Sequence, residues 1–203
     1  NHSIGIGASA LNALTSGAGN IAIGYTALAE HTTGSRNIAI GYGAMNDTAG
    51  NAGEAPASTD NIFVGYDAGG GEWEDDRDSN FNGGIGNYVM DAAMDGALNN
   101  TAVGHNSLTA LTAGHSNVAI GVLAGNTTTS GSENTLIGYN CEAEDATATN
   151  QVVIGNNVTG TADNQVHIGN DSNHLHTLFS SDSWSATSDI RQKKNIQDDT
   201  LGL

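Results

Sequence analysis

A short block, Asn20-Ile21-Ala22-Ile23-Gly24-Tyr25-Thr26-Ala27-Leu28, returns along most of this chain. The glycine at its centre can be followed through Gly7, Gly24, Gly41, Gly65, Gly86, Gly104, Gly121, Gly138, Gly155 and Gly169. Most steps are 17 residues; Gly41 to Gly65, Gly65 to Gly86 and, by one residue, Gly86 to Gly104 are longer, and Gly155 to Gly169 is shorter. A short fixed period with local insertions predicts a solenoid, in which each coil finds its contacts in the coils above and below. A globular sandwich, or a disordered Gly/Asn/Thr-rich segment, would not demand a β-branched residue before ten spaced glycines.

That residue is Ile or Val every time, from Ile6, Ile23 and Ile40 to Ile154 and Ile168, a strand preference. Four positions before the glycine stand Asn20, Asn37, Asn61, Asn82, Asn100, Asn117 and Asn134, followed by Gln151 and Gln165. At the roughly 4.8 Å spacing of stacked strands such amides are expected to bond from coil to coil as a ladder. With period two, Ile21 and Ile23 are expected to face the coil interior. Ala22, Ala39, Phe63, Ala102, Ala119, Leu136 and Val153 would then face outward. Both faces being apolar, a second covering layer is required, and another subunit is expected to supply it. A second short arm, such as Ala27-Leu28 or Ala44-Met45, suggests two strands per coil. The expected fold is all-β: a parallel β-solenoid, or β-roll, of about ten short coils with mostly 17-residue repeats, assembled as a parallel homotrimer.

The composition suits a narrow core. Of 203 residues 28 are Gly and one is Pro, aromatics make up 5%, and the formal net charge is −17. Before Ser188 the only cationic side chains are Arg36 and Arg77, so nucleic acid, which requires cations against its phosphates, is not an expected partner. The same charge repels anionic membranes. No run approaches the roughly 18 apolar residues of a membrane span, and no signal peptide is visible. Cys141 stands where other coils carry Ala27, Ala44, Ala68 and Ala124, and reads as a packed small residue. The chain begins already in repeat register, as expected of a piece of something longer.

The repeat domain is expected over residues 1–170, with loop insertions at 46–60 and 69–81. The second insertion carries Trp73, Glu74, Asp75, Asp76 and Asp78, an acidic cluster around one tryptophan. Loops on rigid scaffolds carry function, and a projecting Trp73 would be a binding anchor; a folded-back tryptophan in a solvated acidic loop is the alternative. Calcium could use Asp75, Asp76 and Asp78, although their spacing matches no EF-hand loop. Further on, His174-Leu175-His176 places two imidazoles on one side of an extended strand. Three chains would offer six ligands, octahedral geometry suited to iron, nickel or cobalt, so a transition metal on the trimer axis is one reading and a solvated pair near the end of the shaft is the other.

The last stretch, Ser188-Asp189-x-Arg191-x-Lys193-x-Asn195-Ile196, resembles the start of the C-terminal self-cleaving intramolecular chaperone of phage tail fibres and endosialidase-type tailspikes. The resemblance covers about the last 16 residues, 188–203, with 171–187 as a trimeric connector. The coils are similar to the repeats preceding such chaperones and to the heads of trimeric autotransporter adhesins. The resemblance implies a homotrimer, cleavage before Asp189 with Ser188 as nucleophile and Lys193 as its activating partner, and metal at His-x-His pairs in some fibre tips. It implies a structural, receptor-binding part of a virion tail fibre, outside the cell, meeting a glycan or protein receptor on a host surface. Apart from self-cleavage, no enzyme is expected. The rivals are the head of a bacterial trimeric adhesin, an ice-binding solenoid suggested by Thr-rich turns, and an enzyme acting on surface glycans.

Overall fold

The computed structural model describes residues 2–48, 57–73, 77–180 and 185–186. All its strands belong to one sheet in chain order. They are β1 (Ile4–Ile6), β2 (Ile21–Ile23), β3 (Ile38–Ile40), β4 (Ile62–Val64), β5 (Gly83–Ile85), β6 (Thr101–Val103), β7 (Val118–Ile120), β8 (Thr135–Tyr139), β9 (Val152–Asn156), β10 (Gln165–Asn170), β11 (Asn173–Leu178) and β12 (Ser185–Ala186). From β1 to β10 every pairing is parallel and keeps equivalent residues opposite one another, Ile21 against Ile38 and Ala39 against Phe63. The chain is therefore a parallel β-solenoid of about nine turns, and no helix occurs among the described residues.

The amide ladder runs through the interior. Asn20, Asn37, Asn61, Asn100, Asn117 and Asn134 are fully buried. In each step from Asn20 to Asn134 the lower Oδ1 accepts two bonds from the asparagine above, its backbone N–H and its side-chain Nδ2; Asn134 Oδ1 accepts only the backbone N–H of Gln151. Asn20 Oδ1 thus receives Asn37 N at 2.9 Å and Asn37 Nδ2 at 3.2 Å. The same Nδ2 also reaches across its own coil, as Asn20 does to the Gly34 carbonyl at 2.9 Å and Asn100 to that of Gly114 at 2.8 Å. One side chain thus ties two coils together and closes its own.

That ladder decides which strand face is inside. Asn20 and Ala22 are two residues apart, so they share a face, and Ile21 and Ile23 take the other. Ala22, Ala39, Phe63, Ala102, Ala119, Leu136 and Val153 are all fully buried. Ile6 is 58% exposed and Ile62 45%. The expected orientation is thus corrected: the Ala row lines the core and the β-branched pairs face outward. The core is filled from the opposite wall by Leu28, Met45, Met90, Leu108 and Leu111.

The second arm is not a strand. Thr26 and Leu28 have φ of 54° and 51°, and alternating left-handed residues break an extended run. Its bonds still join coils, Thr26 N to the Ala8 carbonyl below at 2.9 Å and Leu28 N to the Ala44 carbonyl above at 3.0 Å. The anchor glycines are forced by the same stacking. Gly104 has φ of 141°, and a Cβ there would run into the carbonyl of Gly121 in the next coil. Both insertions return to register, β4 and β5 pairing without slip. A bidentate pair from Arg36 to Asp60, at 2.6 and 2.7 Å, spans the first of them.

Asn100→Ala removes bonds to Asn82 and Gly114 and the acceptor for Asn117. Buried groups left unsatisfied cost about 1–3 kcal/mol each, so we expect a loss of about 3 kcal/mol in urea unfolding. A loss below about 1 kcal/mol would show that the ladder does not govern stability.

Candidate functional site

Three features stand out from the regular coil. The first is the outward face of β1 to β10, which carries only Ile, Val, Thr and one Gly and no charged residue at its two outward positions per strand. At roughly 4.8 Å per rung the stripe is about 43 Å long. Uncharged, largely apolar surface of that extent, broken only by Gly83, Thr101 and Thr135, is a candidate interaction face.

The second is an aromatic ladder beside it. Tyr25, Tyr42 and Tyr66 directly follow their anchor glycines, and their rings stack at 5.0 and 5.2 Å between centroids. Tyr88 continues edge-on at 5.3 Å, and His105 meets Tyr88 at 5.8 Å. Each such contact contributes about 0.5–1.5 kcal/mol. The four tyrosines are between 38% and 51% exposed; the recurrence of Tyr25, Tyr42 and Tyr66 directly after the glycine is the sequence signal for three of them, while Asn87 separates Tyr88 from Gly86.

The third is a histidine cluster at the end of the solenoid. β11 folds back antiparallel on β10, so His176 lies opposite His167 and His174 opposite Gly169. Residues 173–178, expected in a connector, thus extend the sheet of the same chain. The three rings lie 5.3, 5.4 and 5.9 Å apart, and each offers one nitrogen within 4.8 Å of the others. His167 is fully buried. Burial, and then the neighbouring His174 and His176, push its pKa down to about 4.

The remaining expected site residues are dispersed or lie elsewhere. Trp73 does not project: it is 1% exposed, donates Nε1 to the Gly69 carbonyl at 3.1 Å, and meets Phe63 edge-on at 6.2 Å. The ring of Phe63 needs this space, and Gly84 opposite it carries no side chain to compete. Asp78 accepts from the Ala57 backbone N–H at 2.7 Å. Glu74, Asp75, Asp76, Ser188, Asp189 and Lys193 lie outside the described residues. Thr48 and Thr128, two of the turn threonines, are fully buried, and Thr48 bonds His31. Cys141 is buried against its coil as expected, and burial raises its thiol pKa.

Several buried titratable groups have structural partners. Glu142 accepts from Asn126 N at 3.0 Å and Thr127 Oγ1 at 2.7 Å, and burial raises its pKa. His31 sits three residues before its turn glycine, Gly34, as Leu14 and Leu111 do before theirs. Asn37 Nδ2 reaches its Nε2 at 3.1 Å, so its Nδ1 is left to donate to Thr48 Oγ1 at 2.9 Å.

Compared with known proteins, the chain matches no protein-family model, no curated protein and no solved structure.

Burial lowers the pKa of His31, a Gly34 backbone contact opposing it in part. As pH falls below about 6.5 the unfolded chain takes up a proton that the folded chain still refuses. The unfolded state then binds more protons, and stability falls with pH until the folded pKa is reached. His31→Leu is expected to lose less stability than wild type between pH 7.5 and 5.5 in urea titrations. Equal losses would show that His31 is not the sensor.

Proposed function

We propose that this chain is the structural and receptor-binding part of a phage tail fibre, attaching the virion to a host cell surface as a parallel homotrimer. The observation that carries the reading is the uncharged apolar stripe, in which Ile6, Ile62, Ile85 and Ile120 are each more than 40% exposed. A stripe running the length of a rod is covered best by identical rods alongside it, in parallel, because equivalent rungs then meet. Three chains, rather than two, follow from the resemblance of residues 188–196 to the start of a trimer-forming chaperone. A rigid, acidic, narrow rod suits a spacer that presents a surface at distance from its particle.

The tyrosine ladder beside the stripe is the receptor-facing surface in this reading. Its edges and hydroxyls combine apolar area with hydrogen bonding, the combination that recognises glycans and protein surfaces alike. Its hydroxyls are distributed along the rod, so contact is multivalent and weak single contacts add.

Sedimentation of the purified chain at micromolar concentration is expected to show a trimer. Ile40→Asp together with Ile120→Asp is expected to abolish it, and a stable soluble wild-type monomer would overturn the reading. Fluorescently labelled trimer is expected to bind cells of susceptible strains within a bacterial panel, and Tyr42→Ala with Tyr66→Ala to weaken binding at least about tenfold while the trimer persists. A trimer that binds no strain would leave assembly intact and remove attachment. When the chain is extended through a complete chaperone, mass spectrometry is expected to find cleavage before Asp189, and none in Ser188→Ala.

A further inference from the structure

The histidine cluster has a feature that coil packing does not explain. Along the inner face the row from Gly5 to Val153 carries only apolar side chains or, at Gly5 and Gly84, none. At the next two places, His167 on β10 and His176 on β11, imidazoles replace the apolar side chains, with His174 beside them on the same face. The buried Nδ1 atoms of His167 and His176 have no hydrogen-bond partner. An imidazole nitrogen left that way is destabilising, where a valine at the same place would bury no unpaired polar atom.

The tautomer of His167 is set by its neighbour. Gln165 Oε1 lies 2.8 Å from His167 Nε2 and is itself held by Thr161 Oγ1 at 2.9 Å. A carbonyl oxygen only accepts, so Nε2 carries the proton and the buried Nδ1 keeps its lone pair. A ring with one nitrogen donating to a fixed oxygen and the other bare is the arrangement a metal-ligating histidine requires.

We propose that His167, His174 and His176 of a single chain form a three-imidazole site for a borderline divalent transition-metal ion of the zinc type, which closes the open end of the solenoid core. The donor nitrogens, within 4.8 Å of one another, need to approach to about 3.3 Å for metal–nitrogen bonds near 2.0–2.1 Å in tetrahedral geometry. Small rotations of the His174 and His176 rings, both only half-buried, provide that. Three neutral ligands leave the fourth position to water or another donor. Bound metal would fasten β11 to β10 and seal the row below it, the function that a further coil performs elsewhere. The net charge of −17 favours a cation at long range. The site is complete within one chain and does not depend on the attachment role or on trimer formation. It differs from a site on a threefold axis, where His174 and His176 of three chains would share one ion and His167, facing the core, would have no part.

The test uses the whole chain, stripped with chelator, dialysed against zinc chloride and then against buffer, with metal measured by plasma mass spectrometry. We expect about one zinc per chain in wild type and in His115→Ala, and less than about 0.2 in His167→Ala, His174→Ala or His176→Asn. His167→Ala restores the residue that the row carries at Ala22 and Ala39, so folding, checked by circular dichroism, is expected to persist; His176→Asn serves as an independent second variant. Zinc is expected to raise the thermal midpoint of wild type and not of these three variants. About one zinc per three chains, retained in His167→Ala, would overturn the proposal in favour of an axial site. No retained zinc in wild type, or full zinc in His167→Ala and His176→Asn, would overturn it outright.

Discussion

The structure depends on one buried hydrogen-bonding device, the asparagine that closes its own coil and bonds the next. Interiors of narrow solenoids hold few apolar atoms per coil, and here the inward residue of each strand is often only alanine. Directional bonds therefore do what area cannot. From Asn20 to Asn117 the side-chain oxygen accepts a backbone N–H and a side-chain N–H from above, as Asn117 does for Asn134 at 3.0 and 3.1 Å. Because one missing carboxamide leaves groups in two coils unsatisfied, register errors are costly, and all ten rungs stay aligned through two insertions.

The ladder also orders everything around it. Taking the Asn face inward sends Ile21 and Ile23 to the surface, and every coil repeats that choice. A rod with a β-branched stripe along one side follows, and that stripe is the strongest physical argument for assembly with like chains. The positive φ values after each strand, at anchor glycines and at Thr26 and Leu28, turn the chain without lengthening the coil. This compactness brings the tyrosines after Gly24, Gly41 and Gly65 within stacking distance.

At the end of the rod the repeat changes. After β10 the chain reverses at Asp171 and Ser172, with Asn170 Oδ1 accepting from Ser172 and Asn173 N–H groups at 3.2 and 2.8 Å. The hairpin therefore pairs β11 antiparallel to β10, and β12 follows it antiparallel in turn. Stacked β-sheets leave an edge and a core end that water would otherwise reach. The hairpin covers the edge of β10, and the imidazoles stand where the core opens.

Period, register, strand positions and the ladder were all written in the residues, because each arises from contacts between equivalent positions a fixed distance apart. Which face is buried was legible as well, since Asn20 and Ala22 must share it, yet reading hydrophobicity alone puts Ile21 and Ile23 inside. Alanine looks too small to be a core residue until the coil is known to be narrow. The second arm was misread as a strand because left-handed φ at Thr26 and Leu28 is imposed by coil closure and not by those residue types. Trp73 needed the fold in another way: its pocket is made by Phe63 from one coil and by the vacancy at Gly84 in the next. His174 and His176 announce a shared face by their spacing, whereas His167 joins them only through the reversal at Asp171 and Ser172. Local periodicity determined the rod; non-local chain reversal decided what gathers at its end.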